Sequence, residues 1–137
     1  MPASFFCLYC FDMNQPARQG VMMEELIEEL ERFAEERDWT QYHSPKNLAM
    51  ALAVEAAELM EHFQWLTEDQ SRTLDDEARQ AVAAEVADVF VYLLRLTDKL
   101  DIDLLAATRQ KMAVNRRKYP ADLVRGSAAK YTAYQEE

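Results

Sequence analysis

Two short runs of the chain carry carboxylates at a spacing suited to metal chemistry: Glu55-Ala56-Ala57-Glu58 and Glu85-Val86-Ala87-Asp88. In each, two acids stand three residues apart in an apolar stretch, so on an α-helix they share a face about one turn apart. The helical wheel is more specific. With Glu55 at zero, Leu48, Leu52, Leu59 and Phe63 fall between about 20° and 80°, and Glu58 at about 300°. With Glu85 at zero, Val82, Val86, Val89, Leu93 and Leu96 fall between about 20° and 100°, Asp88 at about 300° and Tyr92 at about 340°. Both acid pairs therefore border an apolar stripe. Two helices joined along those stripes bring four carboxylates to one place, where their mutual repulsion shifts their protonation or opens the site. A hard divalent cation removes the conflict, and an all-oxygen ligand set suits Mg²⁺, with Mn²⁺ as the alternative. The plainer reading is four solvated helix charges, as most single Glu-x-x-Glu pairs are. Two matched pairs, each flanking a core stripe, favour the metal site.

The elements that must position these acids are helices. Half of the 137 residues are hydrophobic, with only 2 Gly and 4 Pro, which argues for one domain of long helices and short connections. Met22 to Arg37 is amphipathic, with Leu26, Ile27, Leu30 and Phe33 on its apolar side. After a short link, Ser44 as N-cap and Pro45 at the first helical position open a second helix, expected to reach about Trp65. The polar stretch from Leu66 to Asp75 reads as a loop long enough to act as a flap. A third helix is expected from Asp76 to Leu100. A fourth follows the N-cap Asp103 and ends at Tyr119-Pro120. The expectation is an all-α, four-helix domain over residues 22–120. Residues 1–21 form an extension outside the core, and residues 121–137 a polar tail with at most a short helical turn.

Net charge is −10 and the pI about 4.7, which argues against a nucleic-acid polymer held on a broad basic surface. Basic residues gather instead on the fourth helix, where Lys111, Asn115 and Lys118 lie within about 60° of one another. Charges complementary to a helix C-terminus explain such a face by themselves. Opposite an acidic metal site, the same face suits phosphates and sugar. Cys7 and Cys10 form a lone Cys-x-x-Cys with no second half, so neither zinc nor redox chemistry is assigned to it. The apolar run Phe5 to Phe11 is too short to span a membrane and lacks a basic flank, so a cytoplasmic location is the expectation.

Five ordered motifs resemble the MazG-like, all-α nucleoside triphosphate pyrophosphohydrolases, and within them the dCTP pyrophosphatase group. They are Glu35-Glu36-Arg37-Asp38-Trp39; His43-Ser44-Pro45-Lys46-Asn47-Leu48; Val54-Glu55-Ala56-Ala57-Glu58 with Phe63-Gln64-Trp65; Glu85-Val86-Ala87-Asp88; and Lys111 to Pro120. The resemblance implies Mg²⁺ on Glu55, Glu58, Glu85 and Asp88, and cleavage of a nucleoside triphosphate to monophosphate and pyrophosphate. It implies that Trp39, Trp65, Tyr92, Lys111 and Asn115 hold base, sugar and phosphates, with His43 and Asn47 added ahead of and within the first turn of the second helix. Glu55, Glu58 and Lys111 are the catalytic candidates: an acid to orient or deprotonate water, and a cation for a leaving oxygen. Val54 replaces the first acid of the broader family motif. Leu30 replaces a histidine of animal dCTP-specific relatives, and His62 stands on the carboxylate side where relatives are apolar. The resulting expectation is an enzyme acting on dCTP or modified dCTP, with dUTP or a broad range of nucleotides as the alternative. A helical interaction protein is the non-enzymatic alternative. So polar a centre also leads us to expect a homodimer or homotetramer, with no membrane partner.

Overall fold

The computed structural model describes residues 16–129 and 132, with side chains from residue 22 onward. Among these residues all regular structure is helical: α1 (Pro16–Glu35), a 3₁₀ turn (Thr40–Tyr42), α2 (Pro45–Glu61), α3 (Glu68–Arg72), α4 (Asp76–Lys99), α5 (Leu104–Lys118) and α6 (Ala121–Val124). The Cys7/Cys10 pair and the apolar run Phe5 to Phe11 lie outside the described residues. No described helix is long and apolar enough to cross a membrane.

Local chemistry sets most boundaries. Ser44 accepts a hydrogen bond from the Asn47 backbone N–H at 3.2 Å, with Pro45 in the first turn, so α2 starts where the sequence places it. Asp75 and Asp103 cap α4 and α5 in the same way, accepting from Ala78 and Ala106 at 2.8 Å each. Three boundaries differ from the sequence reading. α1 begins at Pro16, upstream of Met22, because proline is well suited to a first helical turn. α2 stops at Glu61, and the segment 62–65 turns through bonds from Phe63 and Gln64 N–H to the Met60 carbonyl. The expected loop also contains α3, built on a reciprocal capping box: Gln70 N–H donates to Thr67, whose N–H donates to the Gln70 side chain.

α1 and α4 end alike. Asp38 and Asp101 take left-handed backbone angles, with φ of 55° and 52°. Each sits in a double bond that closes a helix C-terminus: Trp39 N–H to Ala34 O and Asp38 N–H to Glu35 O; Ile102 N–H to Thr97 O and Asp101 N–H to Asp98 O. Glycine is the usual occupant of that position, since it has no Cβ to strain. Asp38 is compensated by accepting from the Gln41 amide at 2.8 Å, whereas Asp101 has no such side-chain bond among those described. Asp101→Gly is therefore expected to raise stability by about 0.5–1 kcal/mol, read from urea midpoints. Destabilisation would refute this account of the cap.

α2 and α4 form the principal pair, and α1 crosses the C-terminal half of α4. Their contact is centred on Ala34, Leu48 and Leu94, which are essentially sealed from solvent. Leu52, Leu59, Val89 and Leu93 are half-buried along the stripes the wheel predicts, while Val86, at the stripe's edge, is exposed. α5 packs only weakly on the rest. Its first turn meets α1 and the end of α4 around a groove of about 410 Å³ lined by Met23, Ile27, Leu94, Ile102, Leu104 and Leu105.

Candidate metal and nucleotide site

Pairing α2 with α4 gathers three of the four acids that their spacing leads us to expect together. Glu55, Glu58 and Glu85 each offer a carboxylate oxygen, and the three oxygens lie within 4.8 Å of one another. Asp88 is outside that tight group but shares its field. Burial first, then repulsion from Glu58, Asp88 and Glu85, lifts the Glu55 carboxyl above its ordinary range. Burial, followed by the charges of Glu55 and Asp88, likewise raises the Tyr92 hydroxyl. Glu55 and Glu85 are half-buried and Glu58 is exposed. Among the described residues no arginine or lysine is paired with Glu55, Glu58 or Asp88 to offset this concentration of charge. A hard divalent cation fits the donor set, since all the offered ligands are carboxylate oxygens.

His62 approaches from the end of α2, its Nε2 3.8 Å from the Glu85 carboxylate, at ion-pair range without joining the ligand group. It also lines an open recess of about 270 Å³ between the end of α2, α3 and the start of α4, together with Leu66, Leu74, Ala78 and Val82.

The aromatic candidates stand apart from one another. Trp65, in the turn after α2, is 86 % exposed, and Trp39, just after α1, is 47 % exposed. The Trp39 ring meets Phe33 edge-on at 5.9 Å, and Arg37 covers the Phe33 face at 3.6 Å. Asn47 is engaged locally. Its side-chain amide donates to the Tyr42 carbonyl at 2.9 Å and ties the 3₁₀ turn to α2. His43, half-buried between these elements, faces Arg95 at 3.3 Å. Lys111 is exposed and Asn115 half-buried on α5, a helix that makes few contacts with the rest of its own chain.

Arg95 is the residue the sequence reading misses. It is 2 % exposed, contacts Glu31 of α1, and lies on the same face of α4 as Asp88 and Tyr92. A lone arginine in the run Leu93-Leu94-Arg95-Leu96 is the available signal, because an unpaired guanidinium is not buried.

Comparison with known proteins places these features in context. Residues 50–133, which include both acid pairs and all of α5, match the MazG-like family. The human dCTP pyrophosphatase 1 is 41% identical over 127 residues, covering 88% of this chain and 75% of that protein. The mouse protein of that name is 44% identical over 115 residues, covering 80% of this chain and 68% of its own. A crystallographically determined pyrophosphatase from Archaeoglobus fulgidus aligns with a TM-score of 0.69 at 43% identity, covering 72% of this chain and 93% of the other. The carboxylate-bearing helix pair and these matches coincide, and the chain belongs to the MazG-like family.

Proposed function

We propose that the chain is a divalent-metal-dependent nucleoside triphosphate pyrophosphatase whose preferred substrate is dCTP or a modified dCTP. The observation that carries this reading is the Glu55, Glu58 and Glu85 cluster, lying within the segment matched to the family. Relatives that cover most of the chain are named dCTP pyrophosphatase 1. Glu55, Glu58 and Glu85 would hold the ion, Mg²⁺ or alternatively Mn²⁺, with Asp88 completing the acidic shell. When bound, the ion supplies charge neutralisation and Lewis acidity at the phosphate oxygens. Glu58, the most accessible of the three acids, orients a water for attack on phosphorus and takes up its proton. The bond to the leaving pyrophosphate breaks, and Lys111 stabilises the oxygen that departs. Trp65 and Trp39 offer faces for the base, while Tyr92, His43, Asn47 and Asn115 border the sugar and phosphates.

α5, which carries Lys111 and Asn115, is only weakly packed on its own chain, so we place the complete site in a homo-oligomer, at least a dimer and by family resemblance a tetramer. Exposed Met50 and Val54 on α2, Val86 and Phe90 on α4 and Met112 on α5 provide the apolar surface for that association. Leu30 favours a second substrate reading. This half-buried apolar side chain forms no hydrogen bond to a base, consistent with dUTP or a wider range of nucleotides. The test is a turnover panel of common and modified (d)NTPs with Mg²⁺. Monophosphate and pyrophosphate should form in equal amounts, highest kcat/KM should fall on a dCTP, and EDTA should abolish turnover until Mg²⁺ or Mn²⁺ is restored. Full turnover in metal-free buffer sinks the metal assignment, and no pyrophosphate from any nucleotide sinks the enzyme reading.

A further inference from the structure

The deepest charge described in the chain lies outside the carboxylate cluster, and the proposed chemistry does not use it. Arg95 has the Glu31 and Asp98 carboxylates and the His43 ring against it, while its Nε and Nη1 complete no hydrogen bond among the described residues. Its Nη1 meets the Glu31 carboxylate of α1 and lies 3.6 Å from Asp98 Oδ2. Lys99 reaches the same Glu31 at 3.2 Å. On the other side Arg95 Nη2 faces Nδ1 of His43 at 3.3 Å, across 52 residues of sequence. A guanidinium can only donate. The imidazole nitrogen it faces must offer a lone pair, which leaves the ring proton on the other nitrogen. Glu31 keeps the guanidinium in place for this contact.

We propose that Arg95 is a positioning residue that fixes His43 as the neutral imidazole with its proton on Nε2, making the residue just ahead of the α2 N-cap a permanent hydrogen-bond donor. The groups facing this histidine agree. Arg95 and Lys99 come from α4 with Asp98 beside them, and Glu31 comes from α1. Burial first, then the charges of Arg95 and Lys99, hold the His43 ring below its ordinary range, with only Glu31 acting in the opposite direction. Protonating Nδ1 would break its contact with Arg95 and place a further cation beside two others. Asp88, Tyr92 and Arg95 succeed one another on one face of α4, with Arg95 about 10 Å along the axis from Asp88. One helix face thus carries an acid of the candidate metal shell at one end and the residue that sets the state of His43 at the other.

The test has a spectroscopic arm that does not depend on the enzyme reading and a kinetic arm that rests on it. The chain contains only two histidines, so two-bond ¹H–¹⁵N correlation spectra of the full labelled chain resolve both, with His62→Gln used for assignment alone. Wild-type His43 should show protonated Nε2 and bare Nδ1 and should titrate below about 6.5, the ordinary histidine value. Arg95→Met keeps an apolar stem of similar length while Glu31 retains Lys99. In it the His43 signals should move to an average of tautomers and titrate closer to the ordinary value. KM for the nucleotide should rise about tenfold, the worth of one positioned charged hydrogen bond, with kcat changing less. A proton on Nδ1 in the wild type overturns the proposal, as does an unchanged His43 spectrum in folded Arg95→Met. A shifted spectrum with unchanged KM overturns the positioning role. If Arg95→Met does not fold, the wild-type spectrum and titration alone decide the tautomer, and Arg95→Lys carries the kinetic arm.

Discussion

Glu58→Gln is expected to lower turnover by about a thousandfold or more without loss of helical circular dichroism, because on the proposed reading it removes a ligand charge from the site where phosphate charge must be stabilised. The substitution keeps the side chain's length and hydrogen-bonding shape, so the loss reads charge and basicity, not packing. A second measurement separates this outcome from simple damage. Glu55, Glu58 and Glu85 crowd within 4.8 Å, and Glu58 is the strongest charged neighbour raising Glu55. Removing one charge should stabilise the metal-free protein by a few tenths of a kcal/mol, as removal of a like-charge helix pair does. The increase in Tm on adding Mg²⁺ should shrink at the same time. A variant that retained both turnover and the full Mg²⁺-induced Tm shift would return these acids to the solvated helix surface.

Lys111→Ala should reduce kcat/KM by about a hundredfold if the lysine stabilises a leaving oxygen. The helix should survive, because alanine is the best helix former and Lys111 is exposed. α5 packs weakly on its own chain, and in the proposed oligomer the partner copy supplies its lysine. That arrangement has a distinctive consequence. Glu58→Gln and Lys111→Ala protomers, each strongly impaired alone, should regain activity when unfolded together and reassembled. A shared-site dimer then recovers about a quarter of wild-type turnover, since half the dimers are mixed and each mixed dimer has one intact site. No recovery, with mixed oligomers demonstrated by mass, would confine the site to a single chain and remove Lys111 from the clamp.

The acid cluster was legible because helical periodicity is local. Once Leu48, Leu52 and Leu59 face Val89 and Leu93, Glu55, Glu58 and Glu85 have nowhere to go but together. The caps Ser44 and Asp103 were legible for the same reason, each being a side chain bonding a backbone group three residues on. α3 was within reach: Thr67 and Gln70 hold the spacing of a capping box, but the surrounding polar composition reads as loop. The early stop of α2 has no glycine or proline to announce it. The Glu31, Arg95, Lys99 and His43 cluster was out of reach, because it depends on how α1 crosses α4, and residues 31 and 95 share no local pattern. Asn47 shows the opposite limit. Its position beside the candidate site was expected, but its side-chain amide is spent on the Tyr42 carbonyl, a tie invisible in the motif.

The α2–α4 hairpin carries a consequence for kinetics. Its two helices are joined by the segment 62–75 alone, so their contacts are among the least separated tertiary contacts of the chain, and such contacts form early in folding. The carboxylates ride on those two helices. We expect the folding transition state to bring like charges together before docking of α1 stabilises the product. Folding should accelerate with ionic strength and with Mg²⁺, while unfolding changes less, and Glu58→Gln should fold faster than the parent chain. If so, the acids proposed for phosphate chemistry would act as a brake on the molecule's own assembly, released by the cation proposed to bind them.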